Sequence, residues 1–244
     1  MESCRLAVGR RAVIFRRMIS VVIPTLNAEA QLAHCFDGLI AATVKGLVRE
    51  VIVADGGSGD GTLAIADAAG AHVVSSPKAR GAQLAAGAEA ARCDWLLFLH
   101  AGTMLEPGWE TEAAAFLERT DFERPRAAAF RFALDEFGPA ARWLEFFVGL
   151  RCWMFGLPYG GQGLLISKCF YRQLGGFRPL PAMEDLDLMR RIGRGRLTML
   201  RARAVTDAQR LRHEGFLKRS ARNLVILILC ALRVPTNVLA RLYG

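Results

Sequence analysis

The chain has 244 residues, 52% apolar and 23% charged, with a net charge of +9. That balance excludes a disordered chain and is long enough to bury a sizeable core. Its sign suits anionic partners such as sugar nucleotides, nucleic acid or anionic lipid, without choosing among them. Five arginines against one glutamate in the first 17 residues supply four of the nine charges. This stretch lacks the apolar core of a secretory signal and reads as a disordered extension, with Met18 as the natural start. Six cysteines stand apart with no CxxC pair, which argues against structural zinc and predicts reduced thiols in a cytosolic protein. The longest apolar run, Leu224 to Leu232, is shorter than the about 20 residues that a membrane-spanning helix needs.

In chain order, Ile19 to Ile23 is a β-branched run closed by Pro24 and predicts the first strand. Helical spacing from Ala28 to Thr43 puts Leu32, Phe36, Leu39 and Ile40 on one face. Val51 to Ala54 is the second strand, followed by Asp55 and a glycine-rich loop; Thr62 to Ala69 is a short helix. His72 to Ser75, Ala82 to Arg92 and Trp95 to Leu99 follow as strand, alanine-rich helix and fourth strand. This alternation over the first hundred residues predicts an α/β domain with a mostly parallel sheet and helices on both faces. Beyond it, Pro107 starts a helix, Ala127 to Leu134 reads as a strand and residues 142–157 as an aromatic-rich helix. A tight glycine loop, a strand Leu164 to Ser167, a helix Glu184 to Ile192 and an apolar C-terminal helix from about residue 214 complete the chain.

An open parallel sheet binds ligands beyond the carboxyl ends of its strands. The residues there are Pro24-Thr25-Leu26-Asn27, Asp55-Gly56-Gly57-Ser58 and His100-Ala101-Gly102-Thr103. Asp55 suits the hydroxyls of a ribose or the donors of a base. The loop "DGGSGDG" lacks the GK[ST] ending of a phosphate-binding P-loop, echoes a calcium-binding repeat only once, and also reads as an ordinary turn with Asp55 as cap.

Six separated segments resemble the family 2 glycosyltransferases of the GT-A fold. They are "VVIPTLNAEAQL", "EVIVADGGSGDGT", "ARGAQLAAGAEAA", "WLLFLHAGT", "PYGGQGLLISKCFYRQLGGF" and "MEDLDLMRRI", which share that family's order and spacing over residues 18–215. The subgroup with "HADT" and "PYGDQG" motifs is the most similar in pattern. The resemblance implies a GT-A-like domain over residues 18–213 and inverting transfer of a sugar from a nucleotide-sugar donor. It implies that Pro24, Thr25 and Asn27 line the nucleotide pocket, that Asp55 holds base or ribose, and that Arg80 contacts base or phosphate. Glu184 and Asp185 would sit beside the acceptor, with Asp185 as general base; direct displacement needs such a group to take the acceptor proton. A carboxylate opening a helix is also a plain cap, stabilised as an anion by the helix dipole. Asp55, His100 and Asp185 are expected to converge on one cleft.

The resemblance also implies a divalent metal, Mn²⁺ or Mg²⁺, held by acids at the end of the fourth strand. This chain has Gly102 and Gly161 where the subgroup carries aspartate. Three readings stand. His100 binds a metal such as Mn²⁺; arginine or lysine replaces the metal; or the chain is a catalytically weak, nucleotide-binding relative. His213 is a weaker metal candidate. The stretch "WLEFFVGLRCWMFGLPY" carries six aromatics and reads either as core packing or as an apolar acceptor groove or membrane-facing surface, for a lipid-linked or apolar acceptor. Lys218, Arg219 and Arg222 before the apolar C-terminal run suit either a packed helix or peripheral contact with the inner face of a membrane. Nucleic-acid binding has no motif beyond charge.

Overall fold

Ile19–Thr25 forms β1, and all seven residues are buried, as suits a central strand covered on both faces. This strand belongs to a computed structural model that describes residues 17–120, 124–136, 138–158, 161–180 and 183–207, with residues 225, 229 and 234. The expected basic extension apart from Arg17, His213, and the C-terminal helix with its lysine and arginines lie outside the described residues, those three positions excepted.

After β1 come α1 (Glu29–Asp37), α2 (Ile40–Val44), β2 (Val48–Asp55), α3 (Thr62–Ala68), β3 (His72–Ser75), α4 (Arg80–Ala90) and β4 (Trp95–Phe98). The chain continues through β5 (Thr103–Leu105), α5 (Trp109–Arg119), β6 (Ala127–Leu134), α6 (Pro139–Phe155), β7 (Leu164–Ser167), α7 (Lys168–Gln173), α8 (Glu184–Ile192) and β8 (Leu197–Thr206). The strands make one sheet in the order β3-β2-β1-β4-β7-β6-β8-β5. β3, β2, β1 and β4 are parallel. β7 runs antiparallel to both β4 and β6, β8 parallels β6, and β5 lies antiparallel to β8. Because β1 sits between β2 and β4, successive connections leave it in opposite directions, and a crevice opens beyond its carboxyl end.

Alternate strand residues feed two cores. On one face Ile19, Val21, Trp95, Leu97 and Phe130 pack with Leu32 of α1 and Trp109 of α5. On the other, Val22, Leu96 and Phe98 pack with Leu84 of α4 and with Leu186 and Leu188 of α8. α4 lies so close to β1 that a Cβ on Gly87 would stand 2.3 Å from Val22 Cγ1. That contact fixes the height of α4 on the sheet, and with it the position of Arg80 at the helix start.

Three expectations need correction. The single helix from Ala28 to Thr43 is two helices. Gly38 breaks it, with its carbonyl accepting from Trp109 Nε1 at 2.8 Å and the place of a Cβ 2.9 Å from the Leu105 amide nitrogen. The break takes Ile40 off the buried face, and it is 57% exposed. The aromatic stretch is not core packing throughout: in α6, Val148 and Cys152 are buried, whereas Trp143, Phe146, Phe147 and Trp153 are exposed. β5, α7 and β8 were not anticipated from the sequence.

Candidate active site

The loop after β2 is built around one carboxylate. Asp55 Oδ1 accepts from the Thr25 hydroxyl at 2.9 Å and the Ser58 hydroxyl at 2.5 Å. Its Oδ2 accepts from the amides of Gly57 and Ser58, each at 2.8 Å. Burial raises the affinity of Asp55 for its proton, but the bonds from Ser58, Gly57 and Thr25 together outweigh it and hold the carboxyl below its ordinary value. Four donors fill the acceptor capacity of a carboxylate. Asp55 therefore organises its loop, and a ribose or base hydroxyl would have to displace one of these donors.

Asn27 extends the same lacing. It sits at φ 50°, a left-handed conformation that asparagine tolerates better than most residues. Its side-chain oxygen accepts from the Gly59 amide at 2.9 Å, and its own amide donates to the Ser58 hydroxyl at 2.9 Å. Gln83, which the sequence did not single out, is buried under both loops. Its Nε2 donates to the Thr25 carbonyl at 2.5 Å and the Ala54 carbonyl at 3.2 Å. The signal was present in "RGAQ", three residues after Arg80, where a buried amide on a helix faces two strand ends.

One cavity in the crevice brings Pro24, Arg80, His100, Gly161 and Asp185 together. Asp55 is not among its lining residues and stands at the neighbouring strand end, so the expected convergence holds for His100 and Asp185 but not for the Asp55 carboxylate. Arg80 bridges two acids: Nη2 lies 2.7 Å from Asp185 Oδ2 and Nε 3.1 Å from Glu184 Oε1. Glu184 is buried; desolvation first and the Asp185 charge second push its carboxyl above the ordinary value, and Arg80 opposes them. Asp185 is the more exposed of the two and is the one that lines the cavity. Met183, just before α8, takes a left-handed φ of 65°, a conformation that costs a non-glycine residue energy and recurs at functional sites.

His100 lies half-buried two residues beyond β4, and its Nδ1 accepts weakly from the Gly102 amide at 3.4 Å. Thr103 is buried and donates to the Gly161 carbonyl at 3.3 Å. The nearby Cys35 thiol is no nucleophile, since burial pushes it up to about 12. The two positions where aspartates were expected differ in kind. Gly161 has φ +96°, and a Cβ there would meet Thr206 Oγ1 at 2.8 Å. Gly102 lies outside the left-handed region, and a Cβ would meet nothing closer than 3.9 Å. One imidazole and a hydroxyl already bonded to a carbonyl do not suit Mg²⁺ or Mn²⁺, which want several oxygen ligands and negative charge. The residues His100 to Thr103 and Gly161 therefore do not fit the metal by themselves.

The model of a family described as glycosyl transferase family 2 matches residues 20–139. Glucosyl-3-phosphoglycerate synthase of Mycobacterium tuberculosis is 51% identical over 63 residues, which are 26% of this chain and 19% of that protein. The same enzyme of Mycolicibacterium paratuberculosis is 49% identical over the same length. The match thus spans about a fifth of these curated relatives. Among solved structures, the M. tuberculosis synthase in complex with Mn²⁺, UDP and glucosyl-3-phosphoglycerate superposes with a TM-score of 0.62 at 24% identity, covering 90% of this chain and 81% of that one. TarS 1-349 of S. aureus gives 0.58 at 15% identity, covering 87% and 65%. At these identities the superpositions establish the GT-A type of α/β fold.

Proposed function

We propose that this chain, which belongs to glycosyl transferase family 2, moves a sugar from a UDP-sugar to an acceptor hydroxyl with inversion at the anomeric carbon. The observation that carries this is the placement of Arg80 and Asp185 on one cavity with Pro24 and His100, at the switch point of the sheet. UDP as the donor's nucleotide comes from the M. tuberculosis synthase, whose structure holds it.

Asp185 accepts the proton of the acceptor hydroxyl as its oxygen attacks the anomeric carbon and the bond to the diphosphate oxygen breaks. It lies in the first turn of α8, with its Oδ2 2.7 Å from Arg80 Nη2. Arg80 starts α4 beside the crevice and offers a guanidinium to the charge that gathers on the departing diphosphate. To do so it must loosen its hold on Asp185, which frees the base when the donor is in place. Glu184 is buried behind the pair and positions Arg80 through the 3.1 Å contact. The relatives act on phosphoglycerate, by their names. The acceptor of this chain is read as a hydroxyl compound held between Asp185 and the wall made by Pro158, Gly161, Gln162 and Gly163.

The test is release of UDP from UDP-sugars over a panel of hydroxyl acceptors that includes 3-phosphoglycerate. Asp185→Asn should lower turnover by about 10²-fold or more while keeping UDP affinity. Unchanged turnover would reduce Asp185 to a helix cap, and UDP binding without turnover on any acceptor would favour a binding protein.

A further inference from the structure

The outward side of α6 is a stripe of aromatic side chains that the transfer chemistry does not use. Trp143, Phe146, Phe147, Trp153, Met154 and Phe155 are all exposed, Trp143 at 62% and Trp153 at 69%. Helical spacing keeps Trp143, Phe146, Phe147, Trp153 and Met154 on one side, over a length of about 16 Å. The first three rings touch. Trp143 stacks on Phe147 with centroids 6.0 Å apart, and Phe146 stands edge-on to both, at 6.2 and 5.8 Å. Ala141, Val148 and Cys152 on the other side are buried, so the domain itself turns this stripe outward. A contiguous exposed apolar patch marks a surface that meets a partner.

Charge selects the partner. Glu145, the one acid of α6, is already engaged: Oε1 accepts from the Leu134 amide at 2.9 Å and Oε2 from Arg142 Nη1 at 2.6 Å. At the end of the helix Arg194 and Arg196 are exposed. A Cβ on Gly156 would stand 2.8 Å from Arg194 Cβ, which sets this arginine against the last turn of α6. The two arginines donate to the carbonyls of Met154, Ile192 and Arg191, and neither forms an ion pair among the described residues. We infer that the outer face of α6 lies on the surface of an anionic lipid bilayer, with its rings at the headgroup boundary and Arg194 and Arg196 against lipid phosphates. An aromatic helix face beside basic residues suits that level, where tryptophan is favoured. α6 has 17 residues and exposes one side only, which fits lying along a surface rather than crossing it. A second copy of the chain would offer the arginines the same face, whose one carboxylate is already bonded twice. The C-terminal run, where described, is engaged at α8: Leu229 packs against the core of Leu186 and Leu188, and the Val234 carbonyl accepts from Arg190 Nη1 at 3.1 Å.

The test is flotation of the full chain with vesicles of phosphatidylcholine alone and of phosphatidylcholine mixed with phosphatidylglycerol, at low salt. Wild type should bind the anionic vesicles about tenfold or more tightly than the neutral ones. Phe147→Ser combined with Trp153→Ser should weaken that binding about tenfold or more, and Arg194→Gln about fivefold. Thermal unfolding of the double variant reports that the domain is intact, since both side chains are exposed. Equal binding to the two vesicles, or none to either, overturns the inference, as does a double variant that floats like wild type. A wild-type dimer that the double variant turns into a monomer, in sedimentation without lipid, gives the face to a second copy and also overturns it. Should the double variant fail to fold, wild type alone decides. Vesicles with brominated acyl chains should quench its tryptophan fluorescence, because Trp143 and Trp153 are exposed while Trp95 and Trp109 are buried, and no quenching overturns the inference.

Discussion

The loop after β2 and the turn after β4 flank the same central strand, yet they are built on opposite plans. Around Asp55 every carboxylate lone pair is used, Asn27 is tied to Gly59, and Asp60 accepts from the Thr62 amide at 3.1 Å. Around His100 the contacts are long, at 3.4 Å to the Gly102 amide and 3.3 Å from Thr103 to Gly161. The first loop is tied by its own residues and by Thr25 and Asn27 at the end of β1. The second is completed by β8, far along the chain. The saturated loop stands beside the cavity without its carboxylate lining it, whereas the turn after β4 reaches the cavity through His100.

Breaking the saturated loop should have the largest effect. Asp55→Ala removes an acceptor from four donors, including the Thr25 hydroxyl, which is buried. Stranded donors cost about 1–3 kcal/mol each where water cannot reach them. Because Gly57 and Ser58 are partly open to water, the expected loss is about 3 kcal/mol in urea unfolding, with UDP affinity falling alongside it. A loss below about 1 kcal/mol would show that the loop does not depend on its carboxylate.

The sparse corner gives a sharper contrast, between its two glycines. Gly161→Ala forces a left-handed backbone on alanine and drives a Cβ to 2.8 Å from Thr206 Oγ1. Its cost should be about 1–3 kcal/mol, as for other overpacked sites. Gly102→Ala meets only ordinary contacts and should stay within about 0.5 kcal/mol of wild type. Thermal unfolding of both variants checks the pair. Equal costs would mean that the corner is as tightly determined at 102 as at 161.

The contrast also governs what the sequence disclosed. Strands Ala127–Leu134 and Leu164–Ser167 and the helix Glu184–Ile192 fall where the reading put them, because apolar runs and an acidic first turn are local signals. Pro24, Arg80, His100 and Asp185 reach one cavity as motif order suggested, since each sits at the end or start of such an element. The break at Gly38 was hidden because its cause, the Leu105 backbone and Trp109, lies in a later element. β8 was hidden because Arg201 and Arg203 interrupt a stretch of small residues, while the inward Ala204 between neighbours is fully buried.

The smallest expected effect is on the pH dependence of stability, where two carboxyls of the site act with opposite sign. Asp55 titrates below its ordinary 3.8 in the folded chain. The unfolded chain therefore binds more protons between the lowered value and 3.8, so the stabilisation from Asp55 is present above 3.8 and is lost as pH falls through the lowered value. Glu184 titrates above its ordinary 4.5 because burial and the Asp185 charge disfavour its anion. Here the folded chain holds the extra proton, so its contribution is greatest below 4.5 and is lost as pH rises through the raised value. Urea unfolding of wild type, Asp55→Asn and Glu184→Gln from about pH 3 to about pH 7 separates the two. Asp55→Asn should flatten the acid limb, and Glu184→Gln should gain on wild type as pH rises above 4.5. A Glu184→Gln curve that runs parallel to wild type above that pH would mean that Arg80 compensates the buried carboxylate fully. Arg80 could then not be drawn to a diphosphate without leaving Glu184 to take up a proton.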